Sequence, residues 1–394
     1  MRFPEFTEEW ELHRITDYFE FKNGLNPEAK RFGHGTKFIS VMDILNNRYI
    51  TYDKVISSVQ LKENELNEFG VNYGDILFQR SSETLEDVGR ANVYLDNTTA
   101  VFGGFVIRGK KIGNYNPLFF RYLLSSPNAR KSIIVKGAGA QHFNISQDGL
   151  SKVLLNVPSI QEQEKISQLI NYIDERIETQ IKIIEDLKKL KVAISNRLLN
   201  NKTLLNKTAP LSKFGDLKNG YAFKSSAYVP NGNYNIVTIA NVSGDREIVT
   251  DNCNTISSVP TDIQSHQILK SGDILISLTG NVGRVSLNKG NNNLLNQRVG
   301  LFVPNNSISS EFLYQTLSFV QFENSMINLA QGAAQLNIGK GDVESYQVRY
   351  SENEHLISQI TQILLGYDKK IEIENKYLQS LLAQKSYLLS NMFI

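Results

Sequence analysis

The second half of this 394-residue chain repeats the first, and a duplicated unit admits only architectures that hold two copies of one module. Phe21-Lys22-Asn23-Gly24 returns as Leu217-Lys218-Asn219-Gly220, and Gly74-Asp75-Ile76-Leu77 as Gly272-Asp273-Ile274-Leu275. Val88-Gly89-Arg90 returns as Val282-Gly283-Arg284, and the stretch Ala140 to Ile145 returns one residue shorter as Ala334 to Ile338. Ile166-Ser167-Gln168 and Asp174 answer to Ile357-Ser358-Gln359 and Asp368. These landmarks keep their order at offsets of 191 to 198, which establishes two copies of one unit.

Each copy has two parts with different hydrophobic periods. Ile166, Ile170, Ile173, Ile177, Ile181, Ile184, Leu187, Leu190, Ile194 and Leu198 lie mostly three or four apart, the mark of a narrow seam on a long helix. Pro158 precedes it, Ser159 is placed to cap it, and Gln161 to Glu164 bring acceptors and negative charge to its first turn. Ile357, Ile360, Leu364, Tyr367, Ile371, Leu378, Leu381, Leu388 and Met392 repeat the pattern. At ~1.5 Å per residue each helix reaches on the order of 60 Å. A small domain cannot cover such a stripe, so the two helices are expected to pack antiparallel in a pseudo-twofold arrangement; two core helices in separate globules are the alternative.

The parts before the helices carry short β-branched and aromatic runs at Ala91 to Leu95, Val101 to Ile107, Asn235 to Ala240, Asp273 to Leu278 and Val299 to Val303, which read as strands. Pro117 to Leu124 and Ser310 to Phe322 read as short helices at matching places. The expected fold is therefore α/β, with two mixed α/β globules alternating with two long helices that form an antiparallel coiled coil. The expected boundaries are 1–157 for the first globule, 158–208 for the first helical region and linker, 209–348 for the second globule and 349–394 for the second helical region.

Composition excludes several functions. Forty-two Lys plus Arg balance forty Asp plus Glu to a net charge of +2, so any surface for nucleic acid is local. The one cysteine, Cys253, excludes an internal disulfide and a cysteine-based zinc site, and five scattered histidines lack metal spacing. No apolar run is long enough to span a bilayer, and no signal-peptide core follows Met1, so a cytoplasmic protein without membrane attachment is expected. Gly104 to Lys110 has the spacing of a phosphate-binding loop, but Lys111 replaces the metal-binding Ser or Thr and Phe105 to Arg108 reads as strand. Asp17 with Glu28 and Lys30 imitates the two acids and lysine of metal-dependent nucleases, yet Glu28 follows Pro27 in a loop-like stretch. No G-x-G-x-x-G, no G-x-S-x-G and no adjacent prolines occur, so neither a catalytic residue nor a metal or cofactor is expected in this chain.

A chain built as globule, long helix, globule, long helix, with those landmarks in order twice and no catalytic apparatus, resembles the specificity subunit of type I restriction-modification enzymes over its entire length. The family's helix start, a proline followed by Glu-Gln, matches Pro158 with Glu162-Gln163; the second copy departs, with Val348-Arg349-Tyr350 lacking the proline and Asn353-Glu354-His355 in place of the pair. The resemblance implies a sequence-specific DNA-binding subunit whose two target-recognition domains each read one half of a bipartite, asymmetric site on double-stranded DNA. Two methyltransferase subunits would dock on the helical parts and methylate adenine, with restriction subunits beyond them. The helices would set the spacing of the readers at about one turn of duplex, ~34 Å. Leu198 to Thr203 is echoed by Leu204 to Thr208; in the resembled family such tandem repeats alter spacer length, whereas a polar linker that happens to echo is the simpler reading. A coiled-coil protein–protein adaptor without DNA reading is the alternative function.

Base reading uses Arg for guanine and Asn or Gln for adenine on presented loops, and phosphate contacts use Lys, Arg, Ser and Thr. The first loop set is Gln79, Arg80, Ser81, Ser82 and Arg90, matched in the second copy by Ser277, Thr279, Asn281 and Arg284. The glycine-rich stretches supply Lys136, Gln141, His142 and Asn144, and Gln331, Gln335 and Asn337. Lys22, Asn23, Lys218, Asn219 and Lys224 complete the candidates.

Overall fold

The structure, a computed structural model, describes residues 1–139, 142–331 and 336–393. The chain divides into two compact units, Met1–Ile181 with Lys376–Ile394, and Lys182–Asn375. Both divisions fall inside the long helices, α1 (Ile160–Leu199) and α2 (Glu354–Asn391).

In the first unit β1 (Phe19–Asn23), β2 (Ile76–Gln79), β3 (Ala91–Val93) and β4 (Val106–Lys111) form an antiparallel sheet in the order β1-β4-β2-β3. Alternate residues of β2 feed different cores. Ile76 and Phe78 pack with Phe19, Ile107, Phe119 and Phe120, whereas Leu77 packs on the opposite face with Ile39, Ile50, Tyr94 and Val106. A strand covered on both faces is apolar throughout, which is why Ile-Leu-Phe carries no polar alternation. A second, mixed sheet joins Ser58–Val59, Phe32–Ile39, Ala100–Phe102 and Gly70–Val71. The second unit repeats this plan with β5 (Gly215–Asn219), β6 (Ile274–Ser277), β7 (Val285–Leu287) and β8 (Val299–Pro304) in the order β5-β8-β6-β7. The registers agree: Ile76 faces Val93 as Ile274 faces Leu287, and Asn23 faces Ile107 as Asn219 faces Gly300.

Several expected strands are shorter or divided. The run Val101 to Ile107 is two strands separated by a turn at Gly103-Gly104-Phe105, because Ala100–Phe102 belongs to the mixed sheet and β4 to the antiparallel one. Ser310 to Phe322 is likewise two helices, Ser310–Leu317 and Val320–Ala330, matching Pro117–Ser125 and Pro127–Ile134 in the first unit. A two-stranded ribbon closes each globule beside its helix: Glu11–Arg14 with Leu154–Val157, and Lys207–Pro210 with Gln347–Tyr350.

The apolar seam is shared differently from the expectation. Ile166, Ile170, Ile173 and Ile177 of α1 join the aromatic core of their own globule, and Leu381 and Leu388 of α2, with Met392 and Phe393 just beyond its end, enter the same core. In the second unit Ile357, Ile360 and Leu364 of α2 share a core with Leu199, while Ile194 and Leu198 pack against it. The first half of each helix therefore buries its stripe in the globule that precedes it, and the helices run antiparallel. Ile181 and Leu190 are 41% and 47% exposed and lie outside the seam to which their spacing assigned them.

The helix starts also differ. Ser159 accepts from the Glu162 amide at 3.5 Å, but the Glu162 carboxylate is fully buried and held by Arg2 at two distances of 2.7 Å. Gln163 donates to the Pro158 carbonyl and accepts from the Asn116 amide, both at 3.0 Å. Proline with Glu-Gln thus pins α1 to the globule. In α2, Asn353 does the capping, accepting from the Leu356 amide at 3.2 Å. The two echoed segments have separate roles: Leu198 and Leu199 end α1, whereas Leu205 is buried in the second globule and Lys207-Thr208 opens the ribbon.

Candidate nucleic-acid interface

The repeated motifs turn out to be the frame of the presented loops. Gly74 and Gly272 both have φ of +91°, and their N–H groups donate to Tyr94 at 2.8 Å and Asn288 at 2.9 Å. The following aspartates close the same turn, Asp75 accepting from the Asn72 amide at 3.0 Å and Asp273 from that of Lys270 at 2.7 Å. Burial pushes both carboxyls up, opposed by those amides. In Val-Gly-Arg, Gly89 donates to Gln79 and Gly283 to Ser277, both at 2.9 Å, with φ of +68° and +79°. A β-carbon at Gly89 would lie 2.5 Å from Ile133, and one at Gly283 2.8 Å from Met326, so both motifs need glycine.

These turns deliver two loops to one place in each unit. In the first, Ser81–Ser82 pairs with Phe143–Asn144, the Ser81 hydroxyl donates to the Asn144 side chain, and the Ile145 amide donates to Arg80 at 2.9 Å. In the second, Thr279 bridges to Asn337, its hydroxyl donates to the Asn337 side chain at 3.1 Å, and the Ile338 amide donates to Leu278 at 2.9 Å. The strand-following loops and the glycine-rich stretches, read as separate sets from sequence, are therefore one surface in each globule. Asn23, Arg80, Lys136 and Asn144 line a single open cleft of about 490 Å³.

Three candidates are not on that surface. Gln79 is 5% exposed with its amide spent on the Ser81 carbonyl, Ser277 is fully buried with its hydroxyl donated to Asn281, and Thr279 is 8% exposed. They fall on or next to central strands, where the interior claims every side chain, so they shape the loops from within. Gln141 and Gln335 lie outside the described residues. Asn23, Arg90, Lys136, His142, Asn144, Asn219, Lys224, Asn281, Gln331 and Asn337 are exposed; Lys22, Arg80, Ser81, Ser82, Lys218 and Arg284 are half-buried.

The cations divide by partner. Lys22 pairs with Glu68 at 2.9 Å, Arg90 with Asp87 at 2.5 Å, Arg284 with Glu323 at 3.3 Å, and Lys218 with Asp216. Lys218 and Lys340 hold the Asp216 carboxyl well below the usual range. Arg80 has no carboxylate partner among the described residues; its guanidinium reaches only the Gly104 carbonyl, at 3.3 Å. Beneath Arg90, burial pushes the Arg130 guanidinium down to about 10, and Arg130 donates to the carbonyls of Glu86 at 2.8 Å and Val88 at 2.7 Å, fixing the loop from below.

Sequence reasoning missed a second group, the ionic anchors of α1 and α2. Asp174 is 4% exposed and meets Lys385 at 2.6 Å, the Tyr122 hydroxyl at 2.9 Å, Arg48 at 3.8 Å and Arg121 at 3.9 Å. Asp368, its repeat, is 8% exposed and meets Lys191 at 2.5 Å, Gln315 at 2.6 Å and Arg246 at 3.0 Å. Lys191 and Lys385 occupy the same position in the two copies, as do Arg121 and Gln315. The recurrence of Asp174 as Asp368 was the available signal.

The rejected enzyme motifs are not assembled. Val106–Lys111 is strand, with Arg108 buried and bonded to the Gly70 carbonyl. Glu28 pairs with Lys30 at 2.8 Å, and Asp17 accepts from the Arg14 amide at 2.9 Å. Among the described residues no group of three or more His, Cys, Asp and Glu could hold a metal ion, and no helix is long and apolar enough to cross a membrane.

Comparison with known proteins agrees with this organisation. The chain is 24% identical over 361 residues to the type I restriction enzyme MjaVIII specificity subunit of Methanocaldococcus jannaschii, covering 85% of this chain and 80% of that one. It is 28% identical over 170 residues to the EcoKI specificity subunit of Escherichia coli, covering 41% of this chain and 36% of the relative. The fold matches the S subunit of the type I restriction-modification system of M. genitalium with a TM-score of 0.57 at 16% identity, covering 98% of this chain and 96% of that one. A chain from a structural study of the assembly and conformational transition of the type I system matches at a TM-score of 0.61 and 13% identity, covering 97% of each. The family model described as the type I restriction modification DNA specificity domain matches twice, over residues 7–189 and 206–383, and the chain belongs to that family.

Proposed function

We propose that this chain is the sequence-specific DNA-binding subunit of a type I restriction-modification complex, and that it takes no part in the chemistry itself. The observation that carries the reading is that two globules with the same sheet order and register present different side chains at equivalent loops. Arg80 of the first stands where the second has Leu278, because each receives the same amide from Ile145 or Ile338. A duplicated frame with divergent loops suits two different half-sites. Phosphate contacts set the register on DNA while loop side chains discriminate bases.

The partners in this reading are double-stranded DNA, two methyltransferase subunits and restriction subunits, acting in the cytoplasm. The boundaries that follow from it are a first reader at 1–157, a second at 209–348, and helical regions at 158–208 and 349–394 that receive the methyltransferases. An adaptor without DNA reading leaves the paired loops without a purpose.

The test is a genome-wide map of N6-methyladenine in cells with and without the gene, or in a host supplied with this chain and its methyltransferase. The expected result is one asymmetric bipartite motif, modified in each half, that disappears with the gene. Methylation that is unchanged in its absence, in a host making active methyltransferase, would overturn the reading.

A further inference from the structure

The Lys-Asn-Gly landmarks lead to a structural position that the loop candidates do not include. A β-carbon on Gly24 would lie 2.1 Å from the Gly103 carbonyl oxygen, and one on Gly220 would lie 2.1 Å from that of Asn296. Each glycine is thus pressed against the turn that precedes β4 or β8, through the bridges Leu25 to Gly103 and Tyr221 to Asn296. The tip of that turn is Phe105 in the first globule and Arg298 in the second. Their carbonyls accept the amides of Arg80 at 2.9 Å and Leu278 at 3.0 Å, so the two tips are equivalent and each touches the presented loop directly.

The tips differ in chemistry. Phe105 is 69% exposed, an unusual state for a phenylalanine, and lies on an apolar cleft with Phe32, Phe38 and Met42 beside Ser81. Arg298 is exposed, and its guanidinium has no hydrogen-bond or ion-pair partner among the described residues; its backbone alone is engaged, the amide donating to the Asn296 side chain at 3.3 Å and the carbonyl accepting from Leu278. Arg284 and Arg90, by contrast, are already paired with carboxylates. Resting on the DNA-reading function proposed above, we infer that this turn is a base-reading position in both globules: Arg298 reads a guanine through its O6 and N7 acceptors, and Phe105 packs on the 5-methyl group of a thymine. The rigid guanidinium fork matches two acceptors on one base edge, whereas a ring without polar atoms can only reward a methyl. The glycines keep the turn against the sheet and so hold its tip still.

The experiment uses the purified complex of this chain with its methyltransferase subunits and a randomised duplex pool. The wild type is expected to select a bipartite motif. Arg298→Ala should lose selection at one guanine of one half-site, with affinity for the original site down about 5- to 150-fold. Phe105→Ala should lose a thymine preference in the other half-site, at about fourfold. Arg298→Lys should keep general affinity yet relax the guanine, since a point charge lacks the fork. Replacing that guanine by 7-deazaguanine, or that thymine by uracil, should weaken the wild type and leave the corresponding alanine variant unaffected. A uniform loss of affinity with an unchanged motif would make these phosphate contacts and overturn the inference, as would variants indistinguishable from wild type; either result leaves the proposed function standing. A wild-type complex that selects no motif overturns that function and this inference together.

Discussion

At the residue scale the landmarks legible in the sequence were glycines and their neighbours, and the structure assigns most of them to backbone geometry. Gly220 offers a direct test. Alanine there places a β-carbon 2.1 Å from a backbone oxygen, which must move for the side chain to fit. The expected cost is about 1 to 3 kcal/mol. Gly341 is the control, since nothing lies within 4 Å of its β-carbon position and it sits in the helix Lys340–Glu344. Gly341→Ala should be neutral or gain up to about 1 kcal/mol from helix propensity. Calorimetric unfolding of both variants decides; equal midpoints would show that the turn yields without strain. Lys22, Asn23, Lys218 and Asn219 immediately precede these glycines on β1 and β5. Spacing revealed that something repeats, but whether a repeated polar residue reads DNA or frames a turn depends on hydrogen bonds that no spacing contains. Gln79 and Ser277 illustrate the difference, being polar in the sequence and buried in the sheet.

At the element scale the long helices were readable because a 3.6-residue period persists for ten turns, yet the period did not say what covers the stripe. Ile170 and Ile181 look alike in the sequence, but one is fully buried in an aromatic core and the other is 41% exposed. Charged anchors were invisible for a related reason: pattern reading places aspartate on the solvent side of a helix. Asp368 contradicts that assignment, lying under Arg246, Lys191 and Gln315. Removing a carboxylate from such a setting strands its cations. Asp368→Ala is therefore expected to destabilise the second unit by about 3 to 5 kcal/mol, whereas Lys189→Ala, at an exposed pair with Asp186, should cost under about 1 kcal/mol. Urea unfolding followed by circular dichroism measures both. A loss at Asp368 no larger than at Lys189 would mean that the buried cations find other acceptors and that the anchor is dispensable.

At the scale of the whole molecule, the duplication is carried into the pairing of the helices. The first globule completes its core with Leu381 and Leu388 from α2 and with Met392 and Phe393 that follow it, and Asp174 takes Lys385 from the same helix. The first copy carries its own versions of these residues, Leu187, Ile194, Leu198, Leu199 and Lys191, on the second half of α1. A continuous helix cannot fold back to place them on its own first half. A second copy of the fragment can, because an antiparallel contact between equivalent helices is self-complementary. Residues 1–200 expressed alone should therefore form a symmetric homodimer, in which Asp174 of each copy meets Lys191 of the other and each aromatic core is closed by the partner's Ile194 and Leu198. Sedimentation equilibrium at micromolar concentration should give twice the fragment mass. Lys191→Glu, which sets like charges against each other, should weaken the dimer about tenfold or more, whereas Lys189→Glu, at an exposed position, should leave it unchanged. A stably folded monomer would show that the first globule closes its core without a second helix, and that the antiparallel pairing depends on residues particular to α2 instead of on the repeat.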